Sequence, residues 1–236
     1  MLLFLVLACQ PKLNKDVVVS GEVYAGRVDG SDLLGGASLR THDLFNEQVD
    51  QTRADAQGRF EILAPPIDLF FFTVEAEGFV PTSLSANVGT SDTAAPKGAV
   101  WARSLADHEA ALAPFAGCPG FDAAGGVIEG EVRVYLGETV QEGDELPLIT
   151  TATVFAEDPN GRIAAPCLLD DDGLYDPDTL VTGQTGRFAM FGLAPGIAAL
   201  RIAYTIDGAE VPEQYTNVMV PENGVAPLYP AWATLP

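Results

Sequence analysis

The amino-acid sequence predicts an all-β chain: two tandem β-sandwich units joined by a short helical linker. Three observations predict it. Glycine (24 residues) and proline (17 residues) supply turns for many short strands rather than long helices. Apolar and polar residues alternate with a period of two in several segments. A phrase also recurs: "DAQGRFEILAPP" from Asp55 returns as "GQTGRFAMFGLAPG" from Gly183, an offset of 183 − 55 = 128 residues.

Strand by strand, the second half repeats the first. In "VVVSGEVYA", Val19, Gly21, Val23 and Ala25 share one face, with Glu22 and Tyr24 on the other. In "VIEGEVRVYL", Ile128, Gly130, Val132 and Val134 share a face, opposite Glu129, Glu131 and Arg133. Gly21 and Gly130 are offset by 109, Ala37 of "GASLRTHD" and Ala152 of "TATVFAED" by 115, and the two Gly-Arg-Phe phrases by 128. "LFFFTVEAEGF" and "IAALRIAYTIDG" follow, both apolar strands that close on an acidic residue and glycine. Constant order with growing offset describes two copies of one β unit with longer loops in the second. In each Gly-Arg-Phe the glycine is expected to take a positive φ in a turn, and the phenylalanine to begin a core-facing strand.

Between the copies lies "WARSLADHEAALAPFAGCPGFDAAGG". Ser104 with Asp107 three residues later reads as a helix start. Leu105, Ala111 and Leu112 give one apolar stripe, and Pro114 and Gly117 stop it. The expected organisation is 1–15 leader and tether, 16–100 first sandwich, 101–126 helical linker, and 127–236 second sandwich with longer loops.

The opening Gly-x-Val strand, then "GGASLRTHD", "ADAQGRFEILAPP" and "FTVEAEGF", resembles the carboxypeptidase regulatory-like domain. Residues 16 to about 95 match in order, with Asp55, Gly58, Phe60, Gly78 and Phe79 at the family's places. The resemblance implies a Greek-key, transthyretin-like (prealbumin-like) sandwich for each copy. Its motifs are turn chemistry, so they specify fold rather than activity.

The chain begins "MLLFLVLACQPKLNKD". The apolar run Leu2–Ala8 is too short to span a bilayer, which takes about 20 residues, and reads as the hydrophobic part of an export signal. Val6-Leu7-Ala8-Cys9 resembles the bacterial lipobox, which implies lipid attachment at Cys9 after cleavage. Gln10 after that cysteine implies the outer membrane in a cell that has one. The formal charge of −21, from 12 basic and 33 acidic residues, argues against nucleic acid as a partner.

Catalytic chemistry is not apparent. His42 and His108 are the two histidines, and neither adjoins a Gly-x-Ser-x-Gly elbow or a reactive cysteine. Each reads as a solvent-facing or core-edge residue. No His-x-x-Glu, Cys-x-x-Cys or phosphate-cradling glycine loop occurs. With Cys9 acylated, Cys118 and Cys167 remain, and an exported protein sits where disulfides persist. A bridge between them is expected, the alternative being two separate buried thiols.

"CLLDDDGLYDPDT" gathers Asp170, Asp171, Asp172, Asp176 and Asp178. It reads first as a solvated acidic loop and second as a calcium site, without the EF-hand spacing. No other cofactor is expected. The function expected is that of a non-catalytic, lipid-anchored envelope protein acting in binding, adhesion or scaffolding, with an envelope protein or glycan as partner. The alternative is a carbohydrate-binding module that stacks sugars on Trp101, Tyr175, Tyr229 or Trp232. Burial in a core or at a domain interface is the competing reading for both tryptophans.

Overall fold

The computed structural model describes residues 16–26, 32–66, 69–135, 147–206 and 208–234; for 134–135, 206 and 229–234 it describes the backbone alone. Cys9 and the leader lie outside the described residues. The repeated phrase sits at the same place in two strand pairs. Gly21 faces Phe60 and Glu22 faces Arg59 across an antiparallel pair; Gly130 faces Phe188 and Glu131 faces Arg187 in the same way. Gly58 (φ 75°) and Gly186 (φ 63°) take the left-handed conformation that an L side chain resists. The carbonyl of each accepts from the strand opposite, from Val23 N at 2.8 Å and Val132 N at 2.9 Å. Phe60 and Phe188 are buried, and each ring lies over a glycine: a Cβ on Gly21 would stand 3.0 Å from Phe60 Cζ, and one on Gly130 3.1 Å from Phe188 Cε1. The Gly-x-Val and Gly-Arg-Phe phrases are thus halves of one contact.

The first half contains β1 (Val17–Ala25), β2 (Ser38–His42), β3 (Gln48–Arg53), β4 (Arg59–Ala64), β5 (Leu69–Glu75), β6 (Phe79–Val80), β7 (Thr82–Asn87), β8 (Thr93–Ala94) and β9 (Val100–Ser104). One layer runs β4-β1-β9-β6, with β8 also on β1; the other runs β3-β2-β5-β7. Inward side chains from both, including Val23, Leu39, Phe60, Phe72 and Val100, form its core.

The second half contains β10 (Gly126–Tyr135), β11 (Thr153–Glu157), β12 (Ile163–Ala164), β13 (Cys167–Leu168), β14 (Arg187–Leu193), β15 (Gly196–Ile206), β16 (Ala209–Val220) and β17 (Val225–Thr234). Its layers run β13-β14-β10-β17 and β12-β11-β15-β16. The two halves share strand order and direction: β1 and β10 are each antiparallel to the Gly-Arg-Phe strand and parallel to the last strand. The fold is all-β, two sandwiches with, among the described residues, one short α-helix between them.

The junction is more intimate than a linker. Strand β17 pairs in parallel with β7 at Val225 and Thr82, which fuses a layer from each half into one eight-stranded sheet. Val225 N donates to the Pro81 carbonyl at 2.9 Å. Helix α1 (Leu105–Leu112) and a 3₁₀ turn (Ala113–Phe115) close over the back of β10 and β14. Leu112 and Phe115 there join Val127, Leu169, Phe191 and Val225 in a third apolar cluster. The Ser104 hydroxyl caps α1 by accepting from Asp107 N at 3.1 Å, as the sequence predicts. Arg187, from the second Gly-Arg-Phe, donates to the Ala111 carbonyl at 3.0 Å and lies over the Phe115 ring, so it ties the helix end to the second half.

Several expectations are corrected here. Residues 101–104 belong to β9 rather than to the linker, because Val100–Ala102 pair with Val23–Ala25. Leu105 is exposed, and His108 joins Leu112 on the buried side of α1. Glu129, placed by alternation on the polar face of β10, is 0% exposed, because β9 and α1 cover that face. It forms an ion pair with Arg103, whose side chain is 8% exposed.

Candidate functional site

The residues singled out in the sequence fall into separate places. Cys118 and Cys167 are joined, with Cα atoms 5.9 Å apart, beside the third cluster. The acidic loop serves its own backbone. Asp170 Oδ1 accepts from Asp172 N at 3.0 Å and Leu174 N at 2.9 Å, Asp171 Oδ1 from Gln184 N at 3.0 Å, and Asp176 Oδ1 from Asp178 N at 2.9 Å. Asp170 and Asp176 thereby hold turns and Asp171 reaches the Gln184 backbone; among the described residues no three His, Cys, Asp or Glu side chains form a group that could hold a metal ion.

Of the four aromatic residues expected to stack sugars, the side chains of two, Trp101 and Tyr175, are described, and both pack inward. Trp101 is buried in the first core, with the Arg103 guanidinium 5.6 Å from its ring. Tyr175 is half-buried against the third cluster, and its N–H donates to the Pro114 carbonyl at 3.1 Å. The side chains of Tyr229 and Trp232 lie outside the described residues.

The two histidines lie in different places, His108 on the buried side of α1 and His42 at a cleft that Glu75 and Glu222 also line. His108 is buried, and its Nε2 donates to the Ala123 carbonyl at 2.9 Å. Burial lowers its pKa below the usual imidazole value and the Arg103 charge adds to this, outweighing the Ala123 hydrogen bond and the carboxylates of Glu129 and Glu109. His42 is likewise lowered, by burial first and then by Arg40, against Asp43 and Glu75.

The outer faces of the two β-sheets, turned away from the cores, are where the halves differ. The row Arg40–Thr73–Ser83 crosses β2, β5 and β7; its equivalent in the second half is Phe155–Arg201–Tyr215 across β11, β15 and β16. Aligning Ala37 with Ala152 sets this equivalence.

On the first half the face is covered. Phe71, Thr73 and Ser83 are buried although their side chains point away from the first core. Turns of the second half stand over this face and enclose a cleft of about 670 Å³, lined by Arg40, His42, Thr73 and Glu75 on one side and Pro195, Gly196 and Met219–Asn223 on the other. Arg40 donates to Glu75 at 2.7 Å on its floor.

On the second half the same face is open. Tyr215 is 65% exposed and Phe155 41%. The Arg201 guanidinium sits 5.7 Å from the Tyr215 ring centre and donates to Glu157 at 3.2 Å. The result is a flat row of two aromatic rings flanking a tethered cation. Ile163, also exposed, pairs with Glu157 at its edge. The sequence reading missed this row. Its signal was the order "TVFAE", which places a phenylalanine among the polar positions of an alternating strand.

Comparison with known proteins adds likenesses only. No protein-family model matches the chain, and no curated protein matches it. Among solved structures, the minor pilin GBS52 of Streptococcus agalactiae aligns at 10% identity and a TM-score of 0.32, over 93% of this chain and 97% of that one. A streptococcal ancillary pilin aligns at 12% and 0.29, over 91% of this chain and 61% of that one. The Bacillus anthracis TIE protein aligns at 14% and 0.29 over 92% of this chain, which spans about a third (34%) of that protein's length. Among the described residues no helix is long and apolar enough to cross a membrane.

Proposed function

We propose that this chain is an exported, non-catalytic envelope protein, tethered through lipid on Cys9, that binds a protein partner through the open face of its second half. The observation that carries the reading is the Phe155–Arg201–Tyr215 row. Phe155 and Tyr215 are exposed there, whereas in the equivalent row of the first half Thr73 and Ser83 are buried and Arg40 is half-buried. An exposed aromatic pair with a central arginine has the composition of an interface hot spot, since rings lose little conformational entropy on burial and arginine adds directional hydrogen bonds. The Cys118–Cys167 bridge supports export to an oxidising compartment, and the leader's Leu-Ala-Cys supports the lipid tether and, after Gln10, the outer membrane.

Two experiments test it. Cells fed an alkyne fatty acid are expected to label the wild-type chain and not Cys9→Ser; equal labelling of both contradicts the tether. A photo-crosslinking amino acid at position 215 is expected to capture a protein in the envelope that the same group at Gln48, exposed on the first half, does not. Absence of any adduct at 215 removes the proposed contact face.

A further inference from the structure

The internal repeat also says what kind of surface fits the open face. Inside the chain, the covered face receives two turns of the following half. One joins β14 to β15 and reads Leu193-Ala194-Pro195-Gly196; the other joins β16 to β17 over residues 221–224. The Asn46 amide lies 3.6 Å from where a Gly196 Cβ would stand, and the Pro81 carbonyl accepts Val225 N, so both turns touch the first half.

The first half owns the equivalent turns. Leu63-Ala64-Pro65-Pro66 joins β4 to β5 in the same phrase, and the loop after β7 includes Gly89–Asp92. Pro65 and Pro66 are half-buried and Gly89–Asp92 are exposed.

Both halves therefore carry the same turns and the same face, so the contact made once inside the chain can be made once more between chains. From this, resting on the proposed contact face above, we infer that the partner is a second copy of this chain, docked head to tail: its Pro65–Pro66 turn and Gly89–Asp92 loop sit on Phe155, Arg201 and Tyr215. The chemistry is complementary. Proline rings pack flat against aromatic faces, and Asp92, whose Oδ1 accepts Val18 N at 2.8 Å, holds the end of the loop that meets the row. A head-to-tail contact of this type does not close on itself, so it builds chains rather than a two-fold dimer. The net charge of −21 opposes the approach of copies. Association therefore strengthens as salt screens that repulsion, the reverse of a contact held by ion pairs.

The test uses the full chain purified from its producing cell. Sedimentation equilibrium is expected to show a weight-average mass that rises with protein concentration, and rises further on moving from low to high salt. Tyr215→Glu and Phe155→Glu, both on the exposed face, are expected to return the mass to that of one chain while melting like wild type. Phe45→Glu, an exposed ring outside the row, is expected to leave association intact. Crosslinks from position 215 are expected to map to residues 64–66 or 89–92 of another copy. A mass that stays at one chain at every concentration and salt overturns the inference. Crosslinks from 215 to other proteins alone also overturn it but leave the proposed function standing; no crosslink at all removes both.

Discussion

Thr73 and Arg201 hold the same place in the two halves, yet one is buried under the neighbouring half and the other reaches over an exposed tyrosine ring. The same holds for Ser20 and Glu129, at equivalent positions of β1 and β10. Ser20 is half-buried at the side of the molecule, with its hydroxyl toward the Thr93 carbonyl at 3.5 Å. Glu129 is fully enclosed and paired with Arg103. Strand order and register were copied; what covers each face was not. A duplicated sandwich therefore has two kinds of position: those that serve its own core, which match between copies, and those that serve the junction, which diverge.

The largest expected effect breaks the junction. Glu129→Ala leaves Arg103 buried without its partner and is expected to cost about 3–5 kcal/mol in urea unfolding. The equivalent Ser20→Ala is expected to change stability by about 0.5 kcal/mol or less. Similar costs for the two would mean that Glu129 is not enclosed. Next is the bridge, which has no counterpart in the first half. Closing a loop over a separation of 49 residues is worth about 4 kcal/mol on chain-entropy grounds, so Cys118→Ser with Cys167→Ser is expected to lower the melting temperature by far more than reductant noise. Unchanged melting would contradict a bonded pair.

The glycines under the phenylalanine rings sharpen the comparison. A Cβ at position 21 meets only side chains, Phe60 and Ala95, whereas one at 130 runs into the Leu228 carbonyl oxygen. Gly21→Ala is expected to cost about 1 kcal/mol and Gly130→Ala about 3 kcal/mol. The reverse order would show that the β10–β17 pairing is looser than described.

Acid gives the smallest effect. The folded pKa of His108 lies below its unfolded value of about 6.5, so the unfolded chain takes up the proton first. Stability is complete above that pH and declines as pH falls from there toward the folded pKa. Unfolding measured between neutral and mildly acidic pH is expected to show this slope, and His108→Leu to flatten it. A variant with the wild-type slope would assign the effect elsewhere, with His42 the first candidate.

Core-facing features were legible in the sequence because turn glycines and period-two alternation are local. Gly58 and Gly186 take the positive φ expected, Phe60 and Phe188 are buried, and Ser104 caps its helix. Asp43 and Asp158, 158 − 43 = 115 residues apart like Ala37 and Ala152, hold equivalent hairpin turns by accepting backbone N–H groups. Burial alone pushes the Asp158 carboxyl up, but hydrogen bonds from Arg162, Ala194 and Asn160 bring it below the usual carboxylate range.

Junction features were not legible. Alternation gives Glu129 a polar face but cannot say that α1 lies on it. Trp101, offered as a sugar-stacking residue with core burial as the competing reading, is buried in the first core. Phe155 and Tyr215 sit at polar-face positions whose exposure depends on whether another half stands over them.

The Val225 amide tests the central claim most directly, because its hydrogen bond to the Pro81 carbonyl crosses from one half to the other. If both halves share one sheet, hydrogen exchange at that amide is slow and is released only with the global unfolding of the chain. Exchange at the rate of an open loop would mean that the halves are separate sandwiches on a tether.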